Sequence, residues 1–266
     1  MSMGLMWRTA PAALAFALTL LLASTACSQA GNDYVAAPTE TGSPQPSVPG
    51  FSKLVLNSDF DRGIDTNVWR VRTDAEGSVR YQAQRLHVSN GVLMIEGKPP
   101  LFWIGRFLGG GLVAEGVKIG PGQLVEFRMR MTGAAKWNLA GWTFGGDPWP
   151  RHGEIDTVEL VSRDDGRAFP LQSVHGPPNG LIGNNNEADL ELDGAAWHTY
   201  AHVWEGDTVT FYIDGKETFR RELTTDSARA AFKSFYPIIS FYSGSWVGNA
   251  RGPAWGYVDF VRVWAR

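Results

Sequence analysis

Three carboxylates stand close together between Glu154 and Glu159, in the run Glu-Ile-Asp-Thr-Val-Glu. A pair of carboxyl groups can cleave a glycosidic bond when one attacks the sugar carbon and the other protonates the leaving oxygen. The third acid, Asp156, could hydrogen-bond one of them and help to separate their pKa values, as two unlike roles require. The alternative is that the three acids form only a solvated face of a strand.

The chemistry depends on which way each of these side chains points. Side chains alternate between the two faces of a strand, so Glu154 and Ile155 face opposite ways. Strict alternation would place Glu159 in the core, where an unpaired carboxylate is costly. One β-bulge near Thr157-Val158 would return Glu159 to the face of Glu154 and turn Leu160 inward. The two Glu backbones would then lie about 13 Å apart. Their side chains could lean together toward the separation of about 5–5.5 Å that a retaining glycosidase needs.

The residues around the acids favour the catalytic interpretation over the solvated face. Gly153 precedes the strand, and Trp142, Trp149 and Pro150 crowd its approach. Tryptophan offers a large flat ring on which the C–H face of a sugar can stack. Aromatic rings beside paired carboxylates therefore indicate a carbohydrate substrate.

The composition narrows the class of protein. The chain has 266 residues and a formal net charge of 24 − 27 = −3, which gives no electrostatic case for a nucleic-acid partner. Hydrophobic residues make up 44% of the chain, enough for a full core, and 31 Gly suit a turn-rich all-β protein. The single cysteine, Cys27, excludes an intrachain disulfide and a cysteine-based metal site. The five His show no metal-ligand spacing.

The first 27 residues predict a signal peptide. Arg8 precedes an apolar run of 13 residues, 11–23, which is too short to span a bilayer but fits a signal-peptide core. Small residues at 24–26 offer a cleavage site directly before Cys27. A lone cysteine at this place resembles a bacterial lipoprotein signal, so we expect either membrane attachment through a lipid on Cys27 or ordinary secretion. Both place the protein outside the cytoplasm, free or on the outer face of the cell membrane.

The rest of the chain divides into a linker and one folded domain. Residues 28–50 are rich in Pro, Ser and Thr and predict an extended, mobile linker. Over 51–266, short alternating stretches are separated by Gly, Asn and Asp, and Asp214-Gly215 predicts a hairpin. The best helix candidate is 226–233. Many short strands predict an all-β two-sheet sandwich or jelly roll in a single domain, which we expect to be a monomer.

These residues resemble glycoside hydrolase family 16. The bulged form of its motif, Gly-Glu-Ile-Asp followed by Glu after two further residues, matches 153–159. The resemblance covers nearly all of 51–266 and implies a concanavalin A-like β-sandwich of two antiparallel sheets with a substrate cleft on the concave sheet. The other segments that carry it are Asp59-Phe60 with Asp65 and Trp69, 91–95, Glu126-Phe127-Arg128, Trp149-Pro150, Val174-His175-Gly176, 197–204, 212–216 and 258–263.

The resemblance also implies an activity and roles for single residues. The activity is retaining endo-hydrolysis of a β-linked polysaccharide, by preference β-1,3- or β-1,3-1,4-glucan. Glu154 is then the nucleophile, Asp156 its assistant and Glu159 the general acid/base. No cofactor is required for this chemistry, although a structural calcium could bind through Asp59 and Asp259. The substrate-binding candidates are Trp142, Trp149, His175, Trp246 and Arg128.

Two segments depart from the family pattern, and both shape the cleft in the family. Residues 137–142 read Trp-Asn-Leu-Ala-Gly-Trp where Trp-Pro-Ala-x-Trp is common, and residues 238–244 read Ile-Ile-Ser-Phe-Tyr-Ser-Gly where Leu-Asn is common. They leave open which glycan is cut. A transglycosylase and a glycan-binding protein without turnover are the alternatives. Binding relatives commonly lose one of the acids, whereas all three are present here.

Overall fold

The computed structural model describes residues 43–101, 105–165, 167–185 and 192–266, which fold almost entirely into β-strands. The predicted signal peptide, with Cys27, and linker residues 28–42 lie outside the described residues. In chain order the strands are β1 Lys53–Ser58, β2 Arg70–Val71, β3 Ala75–Glu76, β4 Val79–Tyr81, β5 Leu86–Ser89, β6 Val92–Gly97, β7 Phe107–Val113, β8 Gln123–Gly133, β9 Trp137–Phe144, β10 Glu154–Ser162, β11 Arg167–Gly176, β12 Gly180–Asn184, β13 Leu192–Asp193, β14 His198–Glu205, β15 Thr208–Ile213, β16 Lys216–Glu222, β17 Tyr236–Ser243 and β18 Ala254–Ala265. One α-helix, α1 Asp226–Ala231, and two 3-10 turns, Ala83–Arg85 and Ser245–Val247, complete the described elements.

The strands form two sheets, which confirms the predicted jelly-roll sandwich. The back sheet has the order β16-β15-β14-β8-β18-β6-β5, with β1 paired to β18. The cleft sheet has the order β12-β11-β10-β9-β17-β7-β4-β3, with β13 on β11 and β2 on β7. The pairing is antiparallel throughout the described strands except between β4 and β7, which are parallel. Strands β8 and β14 face β9 and β10 across the core.

Local sequence signals placed several of these elements correctly. The predicted hairpin joins β15 to β16, and Asp214 and Gly215 at its turn both have positive φ, 50° and 77°. The predicted helix is α1, in which the Thr225 side chain accepts a hydrogen bond from the Ala228 N–H, and it ends two residues before the expected boundary. The last long alternating run is β18, which pairs with the first strand.

The core lies between the sheets and follows the strand alternation. Val125, Phe127, Met129 and Met131 of β8 are buried in the main apolar cluster, so the charged residues between them face the outside of the back sheet.

Linker residues 43–50 pack against the back sheet instead of remaining free. Val48 is 8% exposed and joins a second apolar cluster with Phe51 and Trp264. The Ser47 N–H donates a hydrogen bond of 2.7 Å to the buried Glu126 carboxylate. The expectation of a mobile linker is therefore wrong for this stretch, because a short polar segment can be ordered by one apolar anchor and one buried acceptor. No helix within the described part of the chain is both long and apolar enough to span a membrane.

Candidate active site

The predicted bulge lies in the centre of β10. Asp156 pairs with Ser173 of β11, yet the next pair along is Glu159 with Leu171, so three steps on β10 match two on β11. The register against β9 shifts at the same place, between Ile155 and Val158. One extra residue is thus inserted, and the alternation reverses beyond it.

The bulge sorts the side chains of β10 as the chemistry requires. Ile155, Thr157 and Val158 are fully buried. Leu160 also points into the core, at 1% exposed. Glu154, Asp156 and Glu159 instead line the cleft on the outer face. Without the extra residue, Glu159 would replace Leu160 in the core.

Buried polar groups support the bulge from below. A bulge leaves part of the strand ladder unpaired, and here the Gln172 side-chain amide donates to the Thr157 carbonyl at 3.2 Å. The Thr157 hydroxyl lies 2.7 Å from His202 Nδ1 on β14. Burial lowers the pKa of His202 to about 3, so the imidazole is neutral beneath the acids. Sequence reasoning did not identify Gln172 or His202, since both look like ordinary strand residues.

Gly153 determines the backbone conformation just before β10 begins. Its φ is 78°, a conformation that side chains rarely adopt, and a Cβ there would lie 2.8 Å from the Phe232 ring. Its carbonyl accepts a hydrogen bond from the Gly145 N–H. The glycine before the acids is therefore required by backbone geometry and by space.

An open cleft of about 910 Å³ crosses the cleft sheet above the acids. Trp142 and Trp149 line it, as predicted. Trp149 is 52% exposed and lies close enough to Glu154 to lower the pKa of that carboxyl, while its ring surface stays accessible. Trp246 is 54% exposed and donates from Nε1 to the cleft-lining hydroxyl of Tyr242 at 3.3 Å. Two half-exposed indoles thus lie beside the acid site, and sugar rings can stack on them.

Asp156 is held by two polar partners. Its Oδ2 accepts a hydrogen bond of 2.8 Å from the Ser173 hydroxyl and lies 3.0 Å from His175 Nε2. Burial lowers the pKa of His175 and the hydrogen bond with Asp156 raises it, and the net direction is upward. The structure therefore brings His175 to the acids, where its protonated form would place a positive charge beside Asp156 and Glu154.

Glu159 is held by two residues that sequence reasoning missed as site residues. Its Oε1 accepts hydrogen bonds from Asn138 Nδ2 at 2.8 Å and from the Tyr242 hydroxyl at 2.9 Å. Both lie inside the segments that depart from the family pattern. The departures themselves were the available signal.

Glu154 and Glu159 hold protons more strongly than ordinary acids. Burial, followed by the charges of Asp156 and Glu159, raises the pKa of Glu154 to about 9. Burial and Asp156 raise the pKa of Glu159 to about 7, against the hydrogen bonds from Tyr242 and Asn138. Protons in such a group belong to the cluster as a whole, which therefore retains at least one near neutral pH. A general acid needs such a proton at working pH.

The predicted roles of Arg128, Asp59 and Asp259 need correction. Arg128 lies on β8, pairs with Asp259 at 3.2 Å, and faces the outside of the back sheet, so it does not reach the cleft. The Asp59 carboxylate accepts hydrogen bonds from Asn57 Nδ2 and the Asp61 N–H. A calcium ion would have to compete with a guanidinium for Asp259, so these two side chains do not fit a calcium site. Alternation along β8 turns Arg128 outward, but only the sheet order shows that β8 lies away from the cleft.

One group of side chains could hold a metal ion among the described residues. Glu154, Asp156 and His175 each offer a ligand atom, and these atoms lie within 4.8 Å of one another. His175 Nε2 and Ser173 already contact Asp156 Oδ2, so a metal there would replace those hydrogen bonds.

A jelly-roll sandwich with several carboxyls in an open, Trp-lined cleft is the arrangement expected of an enzyme that cleaves glycosidic bonds. Residues 107–262 match glycosyl hydrolases family 16. The chain therefore belongs to this family and is a glycoside hydrolase acting on O-glycosyl bonds.

One curated protein is similar to this chain in sequence, and two solved structures share its fold. A beta-glucanase of Rhodothermus marinus is 26% identical over 248 residues, which cover 80% of this chain and 85% of that protein. A structure of an endo-acting O-glycanase, from work on how prominent human gut bacteria initiate mucin breakdown, is 27% identical with a TM-score of 0.68, covering 79% of this chain and 98% of that one. The endo-β-1,3-glucanase of Pyrococcus furiosus is 22% identical with a TM-score of 0.67, covering 82% and 96%.

Proposed function

We propose that this protein is a retaining endo-glycosidase that cuts a neutral β-glucan, with β-1,3 or mixed β-1,3-1,4 linkages. The observation that carries the proposal is the bulge in β10, which places Glu154, Asp156 and Glu159 on the cleft face of one strand. The beta-glucanase name of a relative that spans most of the domain supports the substrate class.

The first half of the reaction forms a glycosyl-enzyme. The Glu154 carboxylate attacks the anomeric carbon, the bond to the leaving oxygen breaks, and Glu159 gives its proton to that oxygen. This step needs the negative charge on Glu154 and the proton on Glu159. Trp149 lowers the pKa of Glu154 and so favours the charge there, and mutual repulsion lets the cluster of acids ionise only in part, which leaves a proton for Glu159.

The second half returns the enzyme to its starting state. Glu159 takes a proton from a water molecule, whose oxygen attacks the anomeric carbon, and the Glu154 carboxylate leaves. Asp156 lies between the two Glu in sequence and is fixed by Ser173. Its charge raises the pKa of Glu159, which helps Glu159 to recover the proton for the next cycle.

The charges of the cleft support a neutral polysaccharide over a sulfated or uronic one. The two arginines of the described lining are already engaged, Arg70 by Glu115 and Arg72 by Asp74 and Glu76. An anionic polymer would meet uncompensated negative charge. The acidic residues of the described lining are Asp74, Glu76, Glu115, Asp147, Glu154, Asp156 and Glu159.

A substrate panel with product sizing tests the proposal. The purified protein should release oligosaccharides from laminarin and lichenan but not from carrageenan or polygalacturonate, and early products should carry the β-anomer by proton NMR. Products longer than the starting oligosaccharide would identify transglycosylation, and binding without cleavage would identify a lectin-like protein. Cleavage of mucin O-glycans in place of β-glucans, or release of α-anomers, would contradict the proposal.

Export is a second part of the proposal. The apolar run before Cys27 favours a signal peptide, with either a lipid on Cys27 or free secretion. Fractionation of cells expressing the full chain and its Cys27→Ser variant, with a labelled fatty acid, separates the two. Label on the parent that is lost in the variant indicates anchoring, whereas protein retained in the cytoplasm would contradict export.

A further inference from the structure

Two separate departures from the family pattern meet at one carboxylate. Asn138 belongs to β9 and Tyr242 to β17, and the two residues are directly paired across these strands. Both side chains hydrogen-bond Glu159 Oε1, and Asn138 Nδ2 also lies 2.8 Å from the Tyr242 hydroxyl. Asn138 and Tyr242, which lie in the two segments that depart from the family pattern, thus form one hydrogen-bond network with Glu159.

The chemistry of the donors fixes the direction of this network. An amide nitrogen and an indole nitrogen can only donate, so the Tyr242 hydroxyl accepts from Asn138 and from Trp246. Its single proton is then left for Glu159 Oε1. Burial and the neighbouring Glu159 raise the pKa of Tyr242, so the hydroxyl keeps this proton.

Glu159 Oε1 consequently receives two hydrogen bonds, which fill both in-plane acceptor positions of a carboxyl oxygen and leave Oε2 as the oxygen that carries the proton. We propose that Asn138 and Tyr242 are positioning residues that hold Glu159 through Oε1 and reserve Oε2 for the proton that passes to the leaving oxygen. This rests on the proposed role of Glu159 as general acid/base. The same oxygen then recovers the proton from water in the second step.

The network also tunes how readily Glu159 gives up that proton. Glu154 and Asp156 on its own strand oppose its ionisation, while His175 on β11 favours it. Tyr242 and Asn138 donate to the ionised carboxylate and lower its pKa, and Tyr81 is a further titratable group near Tyr242. These donors keep Glu159 acidic enough to release its proton within a cluster of buried acids.

Removal of single donors tests the inference. Tyr242→Phe deletes one oxygen, and Asn138→Leu deletes the amide at similar size. The pKa of Glu159 is read directly by NMR titration of protein labelled with carboxyl-13C glutamate, and separately from the alkaline limb of kcat/KM on laminarin. We expect each variant to raise this pKa by about one unit, since a hydrogen bond to a charged group contributes on that scale.

Comparison of kcat on two substrates separates a positioning role from a general loss of folded or active protein. Because the acid only assists departure of a poor leaving group, kcat on laminarin should fall about tenfold while kcat on an activated aryl β-glucoside changes less than about twofold. Trp246→Phe keeps an aromatic ring but removes the third donor, so it should give a smaller pKa shift in the same direction. The Trp246 side chain is half exposed, so this variant should fold normally. It therefore still tests the inference if Tyr242→Phe or Asn138→Leu fails to fold.

Tyr236→Phe is the matched control, because it makes the same chemical change on the same strand in a cleft-lining residue. The pKa of Glu159 should not move in this variant. An unchanged pKa in Tyr242→Phe and Asn138→Leu, or an equal shift in Tyr236→Phe, overturns the inference. Failure of the parent protein to cleave any β-glucan would overturn the proposed function alone, since the NMR titration needs no turnover.

Discussion

The outer faces of the two sheets both carry charged side chains at alternate strand positions, yet they handle those charges in opposite ways. On β8 of the back sheet, Glu126 is fully buried and accepts hydrogen bonds from the Ser47 N–H at 2.7 Å and the Trp264 indole at 2.6 Å. On β10 of the cleft sheet, Glu154 and Glu159 open onto a cavity. Within the described chain, neither forms an ion pair with Lys or Arg.

Two cations on β8 are covered in the same way as Glu126. Arg128 pairs with Asp259, and the Arg130 guanidinium lies 4.1 Å from the ring of Tyr257 and 5.2 Å from that of Trp197. Partners of this kind consume the hydrogen-bonding and electrostatic capacity of a charge.

The difference shows what converts a charged strand into a reactive one. Burial raises the pKa of Glu126 as well as that of Glu154 and Glu159, so a perturbed acid alone does not identify a catalytic residue. The cleft acids differ because they repel one another and face space that a substrate can occupy. Each of the following predictions alters one side of this contrast.

The largest effect should come from exchanging one carboxyl on each sheet for an amide. Glu154→Gln should lower kcat on laminarin by roughly 10,000-fold or more, because the amide cannot act as nucleophile. Glu126→Gln should leave kcat within about twofold, since that carboxylate serves only packing. Initial rates with matched circular dichroism spectra check both, and equal losses would remove the contrast between the sheets.

The second test concerns the acid of the pair. Glu159→Ala should lower activity on laminarin by about 100-fold to 10,000-fold, but the loss should be much smaller on an aryl glycoside with an activated leaving group. Such a leaving group departs with little help from a proton. The same deficit on both substrates would exclude Glu159 from the acid role.

The pH dependence of the free energy of unfolding should reveal the raised pKa of the cleft acids. Burial and the neighbouring acids raise the pKa of folded Glu154 above its ordinary value of 4.5, so the stability from protonation of the acid cluster is fully present below about 4.5 and is lost as the pH rises above it. Glu154→Gln cannot ionise and should escape this loss. Urea unfolding at pH 5, 7 and 9 should show the variant gaining stability over the parent with rising pH. A pH-independent difference would contradict the raised pKa.

A smaller effect is expected on the back sheet. Arg128→Met should lower the free energy of unfolding by about 1–3 kcal/mol, because it removes the guanidinium that pairs with the largely buried Asp259. KM for laminarin should not change, since Arg128 lies away from the cleft. A raised KM at unchanged stability would restore Arg128 to substrate binding.

The smallest expected effect follows removal of divalent metal. EDTA should shift neither the melting temperature nor the rate, because Asp259 is occupied by Arg128 and His175 with Ser173 occupies Asp156. A melting temperature that falls with EDTA and recovers with calcium would place a metal in the fold, whereas a lost and metal-restored rate would place one at Glu154, Asp156 and His175.

The sequence by itself determined the features whose causes are local. Alternation along a strand and the cost of a buried carboxylate required a bulge at Thr157-Val158, and the structure has it. Local turn residues predicted the hairpin at Asp214-Gly215, and the helix candidate 226–233 corresponds to α1. Each depends on residues within one turn or one strand.

Only the tertiary structure decided which faces meet. Asn138 and Tyr242 are 104 positions apart, and their contact exists because β17 lies beside β9 in the sheet order. The packing of residues 43–50 on Glu126 and the pairing of Arg128 with Asp259 depend likewise on strand order. Periodicity tells which face of a strand a side chain occupies, but long-range pairing determines what lies opposite it, and that decides whether a charge is neutralised or left to react.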